Sequence, residues 1–142
     1  HSRMPIVIPQ RITPQFLRAF AAFPVKRMVV HANHASELND EVIAAVQRLQ
    51  GAGWQVLNQT VLLRGVNDQF DTLEALSVRL VETGIVPYYL HQLDRVRGAA
   101  HFEVPLARGR ELIHELRLRL PGHAIPQYVQ EVAGEGSKTP LA

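Results

Sequence analysis

The feature that most constrains the fold is a regular alternation of short apolar runs with longer amphipathic segments. Short runs rich in β-branched and aromatic residues predict strands, and apolar residues spaced three or four positions apart predict helices. The predicted strands cover residues 27–30, 56–63, 86–90 and 125–132, and the predicted helices begin near residues 14, 39, 68 and 108. This alternation is typical of βα units around a parallel sheet. We therefore predict an α/β fold with parallel strands.

Turn and capping residues mark the ends of these elements. Thr13 precedes a proline and predicts the start of the first long helix, and Asn39 and Asp68 are predicted to cap the next two. Residues 6–8 form a β-branched run that we interpret as the buried end of an earlier strand. Pro126 predicts that the last strand lies at an edge of the sheet.

Polar residues follow three successive predicted strands, at residues 31–34, 64–68 and 91–94. In parallel α/β folds, ligands bind at the carboxyl ends of the strands. We therefore expect the functional site on that rim. The three or four βα units are about half of an eight-unit barrel, so the chain is an incomplete barrel or a small open sheet.

Composition limits the classes of protein to which the chain can belong. Its 142 residues are 46% hydrophobic, which favours one ordered domain. No apolar run approaches the roughly 20 residues of a membrane helix, and no signal peptide is visible. The formal net charge of +2 does not by itself suggest nucleic acid binding. Cysteine is absent, which excludes disulfides, thiolate zinc sites and iron–sulfur ligation within this sequence. Because the sequence starts at His1 and not at methionine, we expect a fragment of a longer protein.

The first candidate for chemistry is Lys138, which lies in a loop of small residues at positions 134–140. Glycine allows positive φ angles and a close approach of other groups. Lysine is the residue type that forms Schiff bases with aldehydes once its pKa is lowered. A solvated tail is the alternative interpretation of this loop.

Three further polar groups leave alternatives open. Residues 31–34 (His-Ala-Asn-His) are either a metal-binding pair of histidines or a hydrogen-bonded loop. Asn58 and Thr60 point to one face of a strand and Gln59 to the other, and this polar stretch either contacts a ligand or lines a polar barrel interior. Asp94 follows an aromatic strand, where it either binds a cationic substrate or caps the next turn.

Two charged features have a simpler alternative as solvated surface. Glu131 precedes Lys138 by seven residues and by itself indicates no more than surface charge. A basic face on the last helix is either solvated or contacts an acidic partner or nucleic acid. Its members are Arg108, Arg110, Arg117 and Arg119.

Several segments, in order and over essentially the whole chain, resemble the lysine 2,3-aminomutases of the radical S-adenosylmethionine superfamily. They are VIPQRIT at 7–13, NQT at 58–60, VLLRGVND at 61–68, PYYLHQLD at 87–94, GAAHF at 98–102 and SKTP at 137–140. Within that family the closest resemblance is to the branch that modifies elongation factor P. Free-lysine enzymes carry a cysteine before the aspartate and four glycines before the lysine. Here Leu93 precedes Asp94, and Gly-Glu-Gly-Ser precedes Lys138.

The resemblance implies a specific architecture. The chain would be the C-terminal half of a radical S-adenosylmethionine (βα)6 partial TIM barrel with parallel strands. Residues 1–122 would supply its last βα units, and residues 123–142 would form a C-terminal tail with the cofactor lysine.

The resemblance also implies the site residues. Lys138 would hold pyridoxal 5′-phosphate as a Schiff base, and Asp94 and Glu131 would bind the ammonium of a lysine substrate. Two partly buried carboxylates suit such a partner, because an unpaired buried charge is costly. His31 and Gln59 would lie near S-adenosylmethionine. The ligands of the [4Fe-4S] cluster would lie outside this chain, because the family's CxxxCxxC motif is absent, and no metal ligand is assigned within it.

The function that the resemblance implies is that of an isomerase. The chain would be part of an enzyme that converts L-lysine to (R)-β-lysine for elongation factor P, and the fragment alone would be inactive. The alternatives are a free L-lysine 2,3-aminomutase that makes β-lysine as a metabolite, and a non-catalytic binding module. We expect a cytoplasmic protein that binds L-lysine and elongation factor P but neither membrane nor nucleic acid. The free edge of its sheet predicts pairing with a second copy in a homo-oligomer.

Overall fold

Five strands form one sheet whose spatial order follows their order in the chain. The computed structural model describes residues 1–94 and 98–142. Strands β1 to β4 run parallel, and β5 runs antiparallel to β4. The strands are β1 (Lys26–Val30), β2 (Trp54–Val61), β3 (Val86–His91), β4 (Gln127–Gln130) and β5 (Thr139–Pro140). Parallel neighbours in chain order are typical of the wall of a βα barrel, and the predicted α/β class is confirmed.

Five α-helices connect or flank these strands. They are α1 (Met4–Val7), α2 (Pro14–Ala19), α3 (Asp40–Gly51), α4 (Phe70–Glu82) and α5 (Leu106–Arg119). Thr13 and Asn39 cap α2 and α3 as predicted, because their side chains accept hydrogen bonds from the backbone N–H groups of Phe16 and Val42. Within the described residues, no helix combines the length and the apolar character needed to cross a membrane.

Three local predictions were wrong. Residues 6–8 are not a strand end, because most of this run belongs to α1, where a proline occupies the first turn and its fixed φ suits a helix. Asp68 does not cap α4, because its carboxylate accepts a hydrogen bond from Gly65 N–H inside the turn and the helix begins later, at Phe70. The last parallel strand is not at the edge, because Pro126 precedes β4 and therefore removes no hydrogen bond from its ladder.

The apolar core lies between the sheet and its helices. One cluster joins β1 and β2 to α1, α3 and α4 through buried residues that include Val30, Val56 and Leu80. A second cluster joins β3 and β4 to α4 and α5 through residues that include Leu90 and Tyr128. Because side chains alternate across a strand, these contacts leave the other face of the sheet for the intervening residues.

A buried polar link ties β4 to the segment after β3. Tyr128 donates its hydroxyl hydrogen bond to the side-chain oxygen of Gln92. Gln92 in turn donates from Nε2 to the carbonyl oxygen of Val104 at 2.9 Å. Burial raises the pKa of Tyr128 to about 12, so the hydroxyl stays protonated and can donate.

Candidate functional site

The register of the strands places a set of polar and aromatic side chains on the face that the helices leave free. Gln59 of β2 lies opposite Tyr89 of β3, and His91 lies opposite Val129 of β4. Tyr89 and His91 are two positions apart, and their ring centroids are 5.6 Å apart. The free face therefore presents an amide, a phenol and an imidazole close together near the carboxyl ends of the strands.

Lys138 joins this face from the position directly before β5. Its Nζ donates to Glu131 Oε1 at 2.5 Å and lies 5.8 Å from the centroid of the Tyr89 ring. The hydrogen bond from Lys138 lowers the pKa of Glu131. Gly134 takes a φ of 89° in the intervening loop, a conformation that glycine adopts without strain. Lys138 lies directly before β5 and is partly buried, whereas residues 131–137 of the loop that leads to it are exposed. The loop itself is therefore solvated, and the ion pair with Glu131 holds the lysine at its end.

The pKa of His91 is shifted by burial and by the charges of four predicted site residues. Burial lowers its pKa, and the positive charge of Lys138 lowers it further. The carboxylates of Glu131 and Asp94 act in the opposite direction, and His31 makes a smaller contribution that lowers it. The protonation of His91 is therefore coupled to the charges of Lys138, Glu131, Asp94 and His31.

Two buried nitrogens on this face have no hydrogen-bond partner in the structure, Gln59 Nε2 and His91 Nε2. A buried polar atom without a partner costs free energy. A bound molecule that offers acceptor atoms to this face would supply the missing partner for the Gln59 amide. The imidazole nitrogen can receive or donate a hydrogen bond according to its tautomer.

The neighbours of Gln59 have a structural role. Asn58 accepts a hydrogen bond from Ala32 N–H at 2.8 Å and donates to Ala32 O at 3.0 Å, and Thr60 donates to the same oxygen at 3.0 Å. These bonds tie the end of β1 to β2. Asn58 and Thr60 therefore lie on the helix-covered face of the sheet and do not line a barrel interior, whereas Gln59 points to the free face with an unpartnered amide nitrogen.

The segment 31–34 is a hydrogen-bonded loop. The Glu37 carboxylate accepts from the backbone N–H groups of Asn33 and His34, and His34 Nδ1 accepts from Ser36 N–H. In the part of the chain that the structure describes, no group of three or more His, Cys, Asp or Glu residues is arranged to hold a metal ion. Burial, and then the charge of Arg3, lowers the pKa of His31.

The basic face of α5 is largely engaged within the chain. Arg108 pairs with Glu115 at 2.9 Å, and Arg119 pairs with Glu74 at 3.5 Å. Arg110 donates from Nε to the carbonyl oxygen of Leu141 at 2.9 Å. Part of the face still lies in solvent, because the Arg119 side chain is 64% exposed and Arg117 is exposed as well.

His91 belongs to the predicted rim, but neither it nor Tyr89 was predicted to be a site residue. A usable signal was present, because Tyr89 and His91 alternate on a strand that leads to Asp94. What the sequence could not supply was the pairing of β3 with β4, which brings Glu131 and Lys138 to the same place. Arg95 and Val96, part of the segment that resembles the elongation factor P branch, lie outside the described residues.

The residues present fit part of the implied cofactor set. Lys138 offers a primary amine beside an open groove of about 240 Å³, which Glu131, Val132 and residues 135–138 line, and this suits condensation with the aldehyde of pyridoxal phosphate. The unpartnered Gln59 amide suits hydrogen bonding to S-adenosylmethionine. An iron–sulfur cluster does not fit this chain, because the sequence has no cysteine to ligate it.

Comparison with solved structures supports the fold. The chain is similar to a radical SAM methyltransferase from Sphaerobacter thermophilus, with a TM-score of 0.60 over 82% of this chain and 37% of that one, at 23% identity. The likeness agrees with the parallel strand order and with the predicted partial barrel.

Comparison with curated sequences gives a closer relationship. The chain is 46% identical over 142 residues to the L-lysine 2,3-aminomutase of Escherichia coli strain K12, and 39% identical over 140 residues to that of Clostridium subterminale. These alignments cover 99% of this chain but 42% and 34% of the two relatives. No protein-family model matches. The chain thus spans about two fifths or less of the length of these relatives, and over nearly all of its own length it is similar in sequence to L-lysine 2,3-aminomutases.

Proposed function

We propose that this chain is part of a radical S-adenosylmethionine isomerase that converts L-lysine to (R)-β-lysine for the modification of elongation factor P. The observation that carries the proposal is the ion pair of Lys138 with Glu131 at 2.5 Å, which lies beside the Tyr89 ring on the face that also carries His91 and Gln59. The aminomutase relatives support the reaction class. We retain the division into barrel units at 1–122 and a cofactor-lysine tail at 123–142 as part of the proposal.

The acidic residues would select the substrate. Glu131 holds the ammonium of Lys138 in this structure, and the same carboxylate has the charge to hold the side-chain ammonium of a lysine substrate. Asp94 would supply a second negative charge. An amino acid without a side-chain cation would lack this attraction. The expected partial burial of the two carboxylates was wrong, because Glu131 and Asp94 are exposed, so selectivity would rest on the ion pair and not on the cost of an unpaired buried charge.

Lys138 would anchor pyridoxal 5′-phosphate through its amine. When bound, this cofactor offers a conjugated system that spreads an unpaired electron of the substrate. Tyr89 and His91 would form the wall next to the Lys138 amine, and burial keeps His91 neutral at pH 7 by lowering its pKa. Gln59 and His31 would contact S-adenosylmethionine. Because cysteine is absent, the [4Fe-4S] ligands would come from outside this chain, and residues 1–142 alone would be inactive.

Reductive labelling tests the role of Lys138, and the sequence supplies an internal control. Lys26 and Lys138 are the two lysines of the chain, and Lys26 donates instead to the carbonyl oxygen of Phe23. The protein, expressed from its complete reading frame, would be incubated with pyridoxal 5′-phosphate, reduced with borohydride and mapped by peptide mass. We expect the label on Lys138. Label on Lys26 or upstream lysines alone would remove the proposed role.

A second candidate function is a free L-lysine 2,3-aminomutase, favoured by the relatives, which are L-lysine 2,3-aminomutases. Deletion of the gene separates the two. Loss of the β-lysyl mass increment on elongation factor P supports the first function. Loss of a free β-lysine pool, with the mass of elongation factor P unchanged by the deletion, supports the second. A reading frame with no CxxxCxxC motif upstream would instead favour a non-catalytic binding module.

A further inference from the structure

The position of Lys138 is fixed by the register of the last two strands. Gln130 lies opposite Thr139, and Val129 lies opposite Pro140, in an antiparallel pair. Continued by one position, this register places Glu131 opposite Lys138, where the structure has their ion pair at 2.5 Å. Directly opposite residues share a face of the sheet. The ion pair is therefore a cross-strand contact.

A pairing of two residues is too short to hold a register by itself. A slip by one residue would turn Lys138 to the opposite face, away from Tyr89 and His91. Something beyond the ladder must therefore hold β5 in place.

Leu141, just after β5, makes three contacts that supply this restraint. Its N–H donates to the carbonyl oxygen of Tyr128 at 2.9 Å, which continues the same register. Its carbonyl oxygen accepts from Arg110 Nε on α5 at 2.9 Å. Its side chain packs against the apolar cluster that contains Tyr128 and Leu112.

The two faces of the segment thus have different partners. Leu141 packs toward the helices, and Lys138, three positions earlier, lies on the free face beside Glu131. A one-residue slip would expose the Leu141 side chain and break its contact with Arg110. The apolar contact and the charged hydrogen bond therefore select one register.

We propose that Arg110 and Leu141 are positioning residues that clamp β5 in the register that brings the Lys138 amine to the site. The inference rests on the proposed function of Lys138. Arg110 touches neither substrate nor cofactor in this scheme and acts through the backbone of Leu141. It gives one arginine of the basic helix face a role inside the molecule.

The test uses Arg110→Met in the protein expressed from its complete reading frame, with Arg117→Met as the matched control. Arg117 lies on the same helix and is exposed. Two quantities are measured, the amide exchange rate of Leu141 and the rate of borohydride-trapped labelling of Lys138 by pyridoxal 5′-phosphate relative to Lys26. We expect Arg110→Met to speed exchange about tenfold, the effect of losing one charge-assisted hydrogen bond. Labelling of Lys138 should slow by a similar factor.

The outcomes separate the clamp from the function of the lysine. Equal Leu141 exchange in the two variants would overturn the clamp, and faster exchange with unchanged labelling would overturn its positioning role. Absence of label on Lys138 in the unmodified protein would overturn the proposed function and with it the role of the clamp, whatever the exchange data give. If Arg110→Met fails to fold, Leu141→Ala replaces it, because this variant removes the apolar contact and keeps the backbone hydrogen bonds. The same two measurements apply, and faster amide exchange at position 141 with slower labelling of Lys138 is again the expected result.

Discussion

At the scale of single residues, His91 is the most informative side chain because its surroundings combine burial with charges of both signs. Lys138 and His31 lower its pKa, and Glu131 and Asp94 raise it. The pKa of such an imidazole can be used to detect each neighbouring charge, since removal of one charge changes this pKa in a known direction.

Two substitutions should shift the pKa of His91 in opposite directions. Lys138→Met removes a positive charge and is expected to raise this pKa, whereas Glu131→Gln removes a negative charge and is expected to lower it. The measurement is an NMR titration of the His91 ring protons, with His123, which lies outside this site, as the reference. Shifts of the same sign in both variants would contradict the arrangement described here.

The lowered pKa of His91 also predicts how stability depends on pH. An unfolded histidine has a pKa of about 6.5, and burial keeps the folded value below it. Between these two pKa values the folded state therefore binds fewer protons than the unfolded state, so a fall in pH favours unfolding. His91 contributes fully to stability above pH ~6.5, and this contribution is lost as the pH falls toward the folded pKa. Urea unfolding at several pH values should show a weaker decline for His91→Gln. An unchanged decline would assign the effect to other groups.

At the scale of secondary-structure elements, one side chain joins two neighbouring strands. Asn58 satisfies both the N–H and the carbonyl of Ala32 at the end of β1. The β1 end in turn precedes His31, so this contact helps to define the rim of the site.

Asn58→Leu should destabilise the protein by about 2–3 kcal/mol, because the buried Ala32 N–H loses its partner. Thr60→Val is the matched control and should cost about 1 kcal/mol, because Ala32 O keeps its hydrogen bond from Asn58. The free energy of unfolding from urea titration checks both values. A larger loss for Thr60→Val than for Asn58→Leu would contradict this account.

Helix α5 approaches β4 so closely that one position requires glycine. A Cβ atom added to Gly109 would lie 2.7 Å from Tyr128 Cε1 and closer still to its hydroxyl. We expect Gly109→Ala to destabilise the protein by about 1–3 kcal/mol through overpacking, although alanine favours a helix by about 1 kcal/mol.

Gly51→Ala is the control for this prediction, because Gly51 also belongs to a helix and a Cβ there meets nothing within 4 Å. It should leave stability unchanged or raise it by up to about 1 kcal/mol. Thermal unfolding of both variants gives the comparison. Equal changes in stability for the two variants would show that the close approach of Tyr128 is not the reason for glycine at position 109.

At the scale of the whole molecule, the described part of the sheet has two edges, the two-residue β5 and the longer β1. Among the described residues, β1 has a strand neighbour on one side only. On its other side, Val29 O accepts a hydrogen bond from Ser2 N–H at 2.9 Å, so the backbone of Val29 faces this edge. An open edge strand is a template for pairing with another strand.

Residues 1–142 expressed by themselves should therefore associate in a concentration-dependent way. Val29→Pro removes an N–H that faces the edge and should weaken this association by about tenfold. Val25→Ala changes an exposed residue just before the strand and should leave it unchanged. Sedimentation velocity over a range of concentrations measures all three proteins. A monomer at every concentration would contradict the prediction.

The sequence by itself determined the order and type of most elements, since apolar periodicity and capping residues such as Thr13 and Asn39 act over a few positions. It misassigned residues 6–8 and the role of Asp68, because a proline or an aspartate has several local uses that only neighbouring structure distinguishes.

Only the tertiary structure decided which polar side chains meet. It showed that Asn58 and Thr60 tie strands together while Gln59 keeps a free amide. It also placed Lys138 beside Glu131 and His91, because this depends on the pairing of β3 with β4 and of β4 with β5. Strand pairing joins residues far apart in the chain, and local sequence patterns contain no information about which strands become neighbours.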